Sequence, residues 1–272
     1  RDGMAYVPYD NLVQACEDLV KDEAERKRLE LRGFELFSAR PQTAILAELL
    51  GLPKPTREAL GAIPLTLHLG SGKDFREDGF NVDIDPFWQP DAVLDLGRPL
   101  PFGERLQTER FGPVRLLENT FEKLVANDVL EHIPDLVCAM TNALRLLRPG
   151  GEFEISVPYE LGLGAWQDPT HVRAFNENSW LYYTDWFWYL GWTEQRFDVV
   201  HTGMQLSPLG MGMKNQGVDL QTIMRTPRAV DSMQVRLRKR YLSSTERREV
   251  AERRSRTQRA PVAPGGSQRA PA

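Results

Sequence analysis

Alternating apolar and polar positions predict a short β-strand over residues 65–69, where leucines alternate with a threonine and a histidine. Gly70-Ser71-Gly72 follows at once, and glycines there allow a sharp turn that leaves backbone N–H groups open to a ligand. A second predicted strand, 80–84, carries Asp83 and is followed by Asp85. A carboxylate at the tip of that strand can accept hydrogen bonds from both hydroxyls of a ribose. This pattern is typical of nucleotide sites on open α/β sheets, although an ordinary tight turn is the alternative.

Strands and helices alternate along the remainder of the chain. One helix is predicted to run to Arg148, where a Pro-Gly-Gly sequence ends it. From Thr226 a basic helix is expected, and the segment from Arg259 has the composition of a disordered tail. Further strands are predicted over 92–96, 124–128, 152–157, 197–202 and 220–225. This alternation favours a parallel sheet covered by helices.

The first sixty residues differ from this pattern. Apolar residues at helical spacing predict one helix over about 10–35 and a second over 43–50. The expected organisation is therefore a helical segment over 1–60, an α/β domain over 61–228, and a basic helix with its tail over 229–272.

Composition is that of a globular protein, with 41% hydrophobic and 26% charged residues among 272. The two cysteines, Cys16 and Cys138, lack the spacing of a metal site or a disulfide framework, which favours a reducing, cytoplasmic setting. The four histidines are dispersed, so we expect no metal site. No apolar run is long enough to cross a membrane.

Charge is distributed unevenly. Residues 236–272 contain eleven Lys/Arg and three Asp/Glu, so this end carries +8 and the remainder −12 of the net −4. An acidic body with a basic end argues against a nucleic-acid-binding domain.

Five ordered motifs give the central part of the chain a specific resemblance. They are Leu67-His-Leu-Gly-Ser-Gly72, Asn81-Val-Asp-Ile-Asp-Pro86, Asp95-Leu with Leu100-Pro-Phe102, Asn127-Asp-Val-Leu-Glu-His-Ile133 and Leu146-Leu-Arg-Pro-Gly-Gly151. Together they resemble class I S-adenosylmethionine (SAM)-dependent methyltransferases, in particular a short-motif group found among polysaccharide-biosynthesis proteins. The resemblance implies a Rossmann-like, mostly parallel α/β sheet of seven strands, the last antiparallel. One departure is that only ten residues separate Gly72 from Asp83, too few for a full helix.

A weaker resemblance concerns the N-terminal segment. Val7-Pro-Tyr-Asp-Asn-Leu12 and Gly33-Phe-Glu-Leu-Phe37 are similar to phrases at the C-terminal end of spore-coat-maturation glycosyltransferases. This resemblance implies a fused or partner glycosyltransferase. The alternative is a helical lid or dimerisation arm.

The methyltransferase resemblance also implies a set of SAM-binding residues. Gly70, Ser71 and Gly72 would border the methionine moiety, and Asp83 would hold the ribose hydroxyls. Asp85 is the second choice for the ribose, and its alternative role is to cap the turn at Pro86. Asp95 and Leu96 would lie at the adenine edge, and Asn127 would face the amino acid part of the donor.

The acceptor side is expected in the segment 168–175, which has a counterpart in the resembling group. His171 is the candidate general base, because a neutral imidazole accepts a proton near pH 7, and Arg173 is the candidate for orienting the acceptor. Trp166 and Asp168 complete the predicted acceptor residues. The alternative is a loop clamp, in which Asp168 and His171 satisfy backbone groups, and His132 is expected to pack at the start of a helix.

The aromatic segment 180–192, with four of the six tryptophans, is expected to be mixed: some rings buried against the sheet, others lining the acceptor side. The function expected from sequence is methyl transfer from SAM to a sugar hydroxyl or amine of a glycan or glycosylated small molecule. The alternatives are a methyltransferase acting on RNA or protein, and a catalytically silent SAM-binding scaffold for a fused glycosyltransferase.

Overall fold

The computed structural model describes residues 62–259. Three predictions concern residues outside this range. They are the helices within residues 1–60, the glycosyltransferase resemblance of the same segment, and the tail beyond Arg259. Within the described range, no helix combines the length and the apolar composition needed to cross a bilayer.

A seven-stranded sheet organises this part of the chain. Its strands are β1 Thr66–Leu69, β2 Phe80–Asp83, β3 Ala92–Val93, β6 Phe121–Asn127, β7 Leu147–Pro158, β8 Gln195–Leu206 and β9 Val230–Tyr241. Their order across the sheet is β3-β2-β1-β6-β7-β9-β8. All neighbouring pairs are parallel except those of β9, which runs antiparallel to both β7 and β8. The chain thus has a Rossmann-like α/β fold, and the expectation of seven strands with the last antiparallel is confirmed.

A small second sheet was not predicted. Strands β4 Arg105–Thr108 and β5 Gly112–Arg115 pair antiparallel as a hairpin. Its buried apolar positions are few, with Val114 the one fully buried side chain of β5. Because the segment lacks a clear alternating pattern, sequence periodicity did not reveal it.

Helix α1, Leu136–Leu146, packs its apolar face on the sheet. Asp135 caps it by accepting a hydrogen bond from the Cys138 N–H at 2.9 Å. The helix ends two residues before the expected Arg148, because Leu147 is already extended and begins β7. The side chains that α1 buries include Met140, Ala143 and Leu144.

The C-terminal part of the domain differs from the prediction. Two helices precede the difference along the chain, α2, Gly164–Gln167, and α3, Pro208–Asn215. Residues 220–225 were expected to be a strand. They form instead the short helix α4, Leu220–Met224, which Asp219 caps. The last strand is β9, within the stretch expected as a basic helix. Arg236, Arg238 and Arg240 lie between its buried positions, and one buried position is itself Lys239, so the alternation was obscured. The sheet therefore continues past residue 228, the expected domain boundary, and the basic helix α5 spans Ser244–Arg259.

The aromatic segment forms two 3-10 turns, Leu181–Tyr183 and Phe187–Leu190. Trp180 is buried and stacks on Phe175, with ring centroids 5.5 Å apart and planes 10° apart. Other rings are exposed, among them those of Tyr182, Trp186 and Tyr189. The expected division into buried and exposed rings is confirmed, whereas contact with an acceptor stays a prediction.

Candidate active site

A cavity of about 360 Å³ lies beyond the carboxyl ends of β1 and β2 and beside the segment after β3. Four of the eight predicted cofactor residues line it: Gly70, Asp83, Asp95 and Leu96. The carboxyl ends of neighbouring parallel strands meet at one edge of a sheet, which is where ligands bind in open α/β folds. The topology thus gathers residues separated by up to 26 positions into a single cavity.

Gly70 makes the turn after β1 and has a left-handed backbone, with φ +59°. A Cβ at this position would lie 2.5 Å from Val129 Cγ2 and 2.8 Å from Val129 Cγ1. Both the conformation and the close approach require glycine. This turn therefore lets β1 end directly against the segment after β6, with no side chain between them.

The Asp83 carboxylate is oriented by two backbone donors. Its Oδ2 accepts a hydrogen bond from the Gly72 N–H at 2.8 Å, and its Oδ1 accepts one from the Asp85 N–H at 2.9 Å. Each carboxylate oxygen can accept a further hydrogen bond. The side chain is thus held in one orientation at the cavity wall and keeps capacity for two donors of a ligand.

A third side of the cavity is formed after β3. The Asp95 Oδ1 accepts a hydrogen bond from the Gly97 N–H at 2.8 Å. The buried Asn142 side chain on α1 donates from Nδ2 to the carbonyls of Leu96 at 3.0 Å and Arg98 at 2.7 Å. Asn142 was missed by the sequence analysis; its only signal was a polar residue on the buried face of an amphipathic helix.

The other four predicted cofactor residues do not line this cavity. Ser71 is buried, and Gly72 contributes through its N–H to Asp83. Asp85 caps the 3-10 helix Pro86–Trp88 by accepting a hydrogen bond from the Phe87 N–H at 2.9 Å, which is the alternative role considered for it.

Asn127 lies in a different cavity, together with Glu154 and Ser156. Its neighbour Asp128, which has a left-handed φ of +53°, lines the cavity that contains Gly70. Asp128 follows the last residue of β6, and its left-handed backbone turns the chain there, so a shift of one position along the motif changes which residue faces the ligand edge.

A second cavity, of about 490 Å³, lies on the predicted acceptor side. It is lined by the predicted residues Asp168 and His171 and also by Glu131. Asp128 and His132 line both cavities. The two spaces are therefore neighbours that share a wall.

The loop that carries His171 is fixed by its own polar groups. The Nδ1 atom of His171 is 2.9 Å from the Ala165 carbonyl oxygen. The Asp168 carboxylate accepts hydrogen bonds from the Thr170 hydroxyl at 2.7 Å and the Thr170 N–H at 2.8 Å, and these bonds lower the pKa of Asp168. Such contacts agree with the loop-clamp alternative, and the general-base role of His171 stays a prediction.

Arg173 and Trp166 lie away from the acceptor cavity. Arg173 Nη2 donates to the carbonyls of Ile133 at 2.7 Å and Pro134 at 2.6 Å. Because both of those residues line the first cavity, Arg173 fixes the wall of the predicted cofactor site. Trp166 is 64% exposed and lines neither cavity.

Glu131, His132 and His171 lie together, although the sequence separates the two histidines by 39 positions. The imidazole centroids are 4.6 Å apart, with ring planes at 77°. Glu131 is 1% exposed; burial raises the pKa of its carboxyl to about 7, and the charge of Asp128 adds to this shift. The histidines are dispersed in sequence but paired in space, because the loop after β7 folds back onto the 3-10 helix Leu130–His132.

No protein-family model matches the chain, and no curated protein matches it. Solved structures that resemble it include a SAM-dependent methyltransferase from Mesorhizobium loti, with 14% identity, a TM-score of 0.40, and 71% of this chain and 95% of that one covered. Another, from Archaeoglobus fulgidus, has 13% identity, a TM-score of 0.38, and coverage of 72% and 92%. The fold rests on the strand order.

A third similar structure is a Burkholderia thailandensis 1,6-didemethyltoxoflavin-N1-methyltransferase with bound 1,6-didemethyltoxoflavin and S-adenosylhomocysteine. It has 16% identity and a TM-score of 0.37, and the match covers 88% of this chain and 93% of that one.

Proposed function

We propose that this chain is a SAM-dependent methyltransferase. The observation that carries the proposal is the single cavity at the carboxyl ends of β1 and β2, which holds a glycine turn at Gly70, the oriented Asp83 carboxylate and the segment with Asp95 and Leu96. Gly70, Asp83, Asp95 and Leu96 belong to three of the five motifs through which the sequence resembles class I methyltransferases. They also fit the chemistry of an adenosine ligand, whose ribose offers two hydroxyl donors.

In this proposal Asp83 binds the ribose hydroxyls, Asp95 and Leu96 border the adenine, and the backbone at Gly70 faces the methionine moiety. At the end of β6, Asp128 takes the role that the sequence assigned to Asn127, which is to face the amino acid part of the donor, because Asp128 is the residue that lines the cavity. SAM supplies a methyl group bonded to a positively charged sulfur. The adjoining cavity shares a wall with this one, so an acceptor there would lie next to the donor, as in-line transfer requires.

For the acceptor we propose a sugar hydroxyl or amine of a glycan or glycosylated small molecule, produced by a fused or partner glycosyltransferase. The support is the resemblance to the polysaccharide-associated group and the polar lining of the second cavity, which includes Gln167, Asp168 and Ser232. The −12 charge carried by the residues before 236 disfavours a nucleic-acid acceptor.

Calorimetric titration with SAM and with S-adenosylhomocysteine tests the cofactor site. Asp83→Ala removes an acceptor of two hydrogen bonds, each worth about 1.5–3 kcal/mol to a charged group, so affinity should fall by at least tenfold. Asp85→Ala is the matched control, because the Asp85 side chain caps a 3-10 helix and only its backbone N–H contacts Asp83.

Retained affinity in Asp85→Ala with loss in Asp83→Ala would support the site and justify an acceptor screen beginning with nucleotide sugars and glycans. Absence of binding to the unaltered chain, or equal losses in both variants, would contradict it. Binding without turnover on any acceptor class would favour the silent scaffold.

A further inference from the structure

The Glu131 carboxylate is the least satisfied charged group beside the acceptor cavity. Its side chain is 1% exposed, yet in the described part of the chain no other residue donates a hydrogen bond to either of its oxygens. The backbone N–H of Glu131 itself interacts with this carboxylate, but a buried carboxylate that receives no hydrogen bond from another residue is still unfavourable. Glu131 lines the second cavity, so a positively charged ligand there would supply the missing interaction.

Two imidazoles converge on the same point. Glu131, His132 and His171 each offer one ligand atom, and these atoms all lie within 4.8 Å of one another. Ligands of a tetrahedral metal ion are about 3.4 Å apart at bond lengths near 2.1 Å. A movement of less than about 1 Å by each atom would therefore bring all three into a coordination shell.

The Nδ1 atoms of both histidines are already oriented by hydrogen bonds. The Ala165 carbonyl can only accept, so His171 Nδ1 carries the proton and Nε2 keeps its lone pair. The Thr170 hydroxyl donates to the Asp168 carboxylate, so it accepts from His132 Nδ1, and Nε2 of His132 likewise keeps its lone pair. Such bonds to a carbonyl or a polar side chain are how proteins orient metal-binding histidines.

We infer that Glu131, His132 and His171 form a binding site for a divalent transition-metal cation in the second cavity, which His132 borders together with the first. Two imidazoles and one carboxylate suit Mn²⁺, Co²⁺ or Zn²⁺ better than Mg²⁺ or Ca²⁺, which prefer shells made of oxygen. The loop and the 3-10 helix that supply the ligands are joined by a hydrogen bond from the Val172 N–H to the Glu131 carbonyl at 2.9 Å.

The role of this site rests on the proposed methyl transfer. The cation would bind the acceptor oxygen and promote loss of its proton to water. That oxygen would then form the new bond to the methyl carbon, while the carbon–sulfur bond breaks and its electron pair stays on sulfur. In this arrangement the His171 lone pair binds the cation, so His171 is a ligand and not the proton acceptor expected from sequence.

The test is titration of the full chain, after removal of metal by a chelator, with Zn²⁺, Co²⁺, Mn²⁺ and Mg²⁺ alone. We expect one equivalent of Zn²⁺ to bind at least tenfold more tightly than Mg²⁺, and Co²⁺ to give a visible absorption band. Glu131→Gln and His171→Ala should each weaken Zn²⁺ binding by at least tenfold. His201→Ala is the matched control, because His201 lies in a different cavity.

Circular dichroism shows whether each variant folds, and His171→Ala provides a second test should Glu131→Gln not fold. Zn²⁺ should raise the Tm of the unaltered chain and of His201→Ala, but not of the ligand variants. No saturable binding, or equal loss in His201→Ala, would overturn the inference. Asp83→Ala separates the two proposals, because it should lose SAM and keep Zn²⁺.

Discussion

Replacement of Gly70 by alanine tests how the glycine turn shapes the candidate cofactor site. The left-handed backbone, φ +59°, costs a non-glycine residue about 1–2 kcal/mol. The added Cβ would also lie 2.5 Å and 2.8 Å from the two γ-carbons of Val129, and relief of such overpacking typically costs about 1–3 kcal/mol. The free energy of unfolding should therefore fall by about 2–5 kcal/mol.

Gly72→Ala is the matched control for backbone strain. It has φ +44°, and the nearest side-chain atom to its added Cβ is Asp83 Oδ2 at 4.0 Å. Only the strain of about 1–2 kcal/mol applies there. Val129→Ala removes the two γ-carbons nearest to the added Cβ and leaves Val129 Cβ at 3.2 Å, so the pair should show a favourable coupling of about 1–3 kcal/mol in a double-mutant cycle.

Urea denaturation followed by tryptophan fluorescence is the assay. All six tryptophans lie between residues 88 and 192, so the signal reports on the domain that contains the site. Equal losses of stability in Gly70→Ala and Gly72→Ala would refute the close approach to Val129. Absence of coupling with Val129→Ala would refute it as well.

Two further predictions concern other parts of the domain. Hydrogen bonds from Arg240 lower the pKa of Glu246 to about 2, so this carboxylate stabilises the fold fully above about pH 4.5 and loses its effect as pH falls through about 2. Glu246→Gln should lower the free energy of unfolding by about 1–2 kcal/mol near pH 6 and by much less at pH 2, where about half of the carboxyl groups are protonated. Unfolding free energy measured against pH checks this. Asn142→Ala should lower the free energy of unfolding by about 1–3 kcal/mol, because it leaves the Leu96 and Arg98 carbonyls without their donor. The same change should weaken SAM binding, measured by calorimetry. Unchanged SAM affinity would contradict the link between Asn142 and the cavity.

Several features of the fold were predictable because they depend on short-range patterns. The period-two alternation before Gly70 identified β1, and the acidic residues after the second strand marked its ligand edge. Four of the predicted cofactor residues line one cavity, since the carboxyl ends of parallel strands meet wherever the sheet forms. Local sequence was sufficient there.

Other features depend on which side of an element faces the ligand. Asn127 and Asp128 are adjacent, and the backbone conformation at Asp128 decides that the second of them lines the cavity. The strand Val230–Tyr241 has buried positions separated by basic residues, so its pattern resembled a charged helix until its place between β7 and β8 was known.

The sequence by itself determined the alternating α/β order, the glycine turn at Gly70 and the position of Asp83 at the end of β2. Each of these features depends on residues that lie close together in the chain. Only the tertiary structure decided that Glu131 and His132 meet His171. The two histidines are 39 positions apart, with α1 and β7 between them, and the loop after β7 brings His171 back to His132. Its contacts are formed by tertiary packing, on which sequence periodicity gives no information.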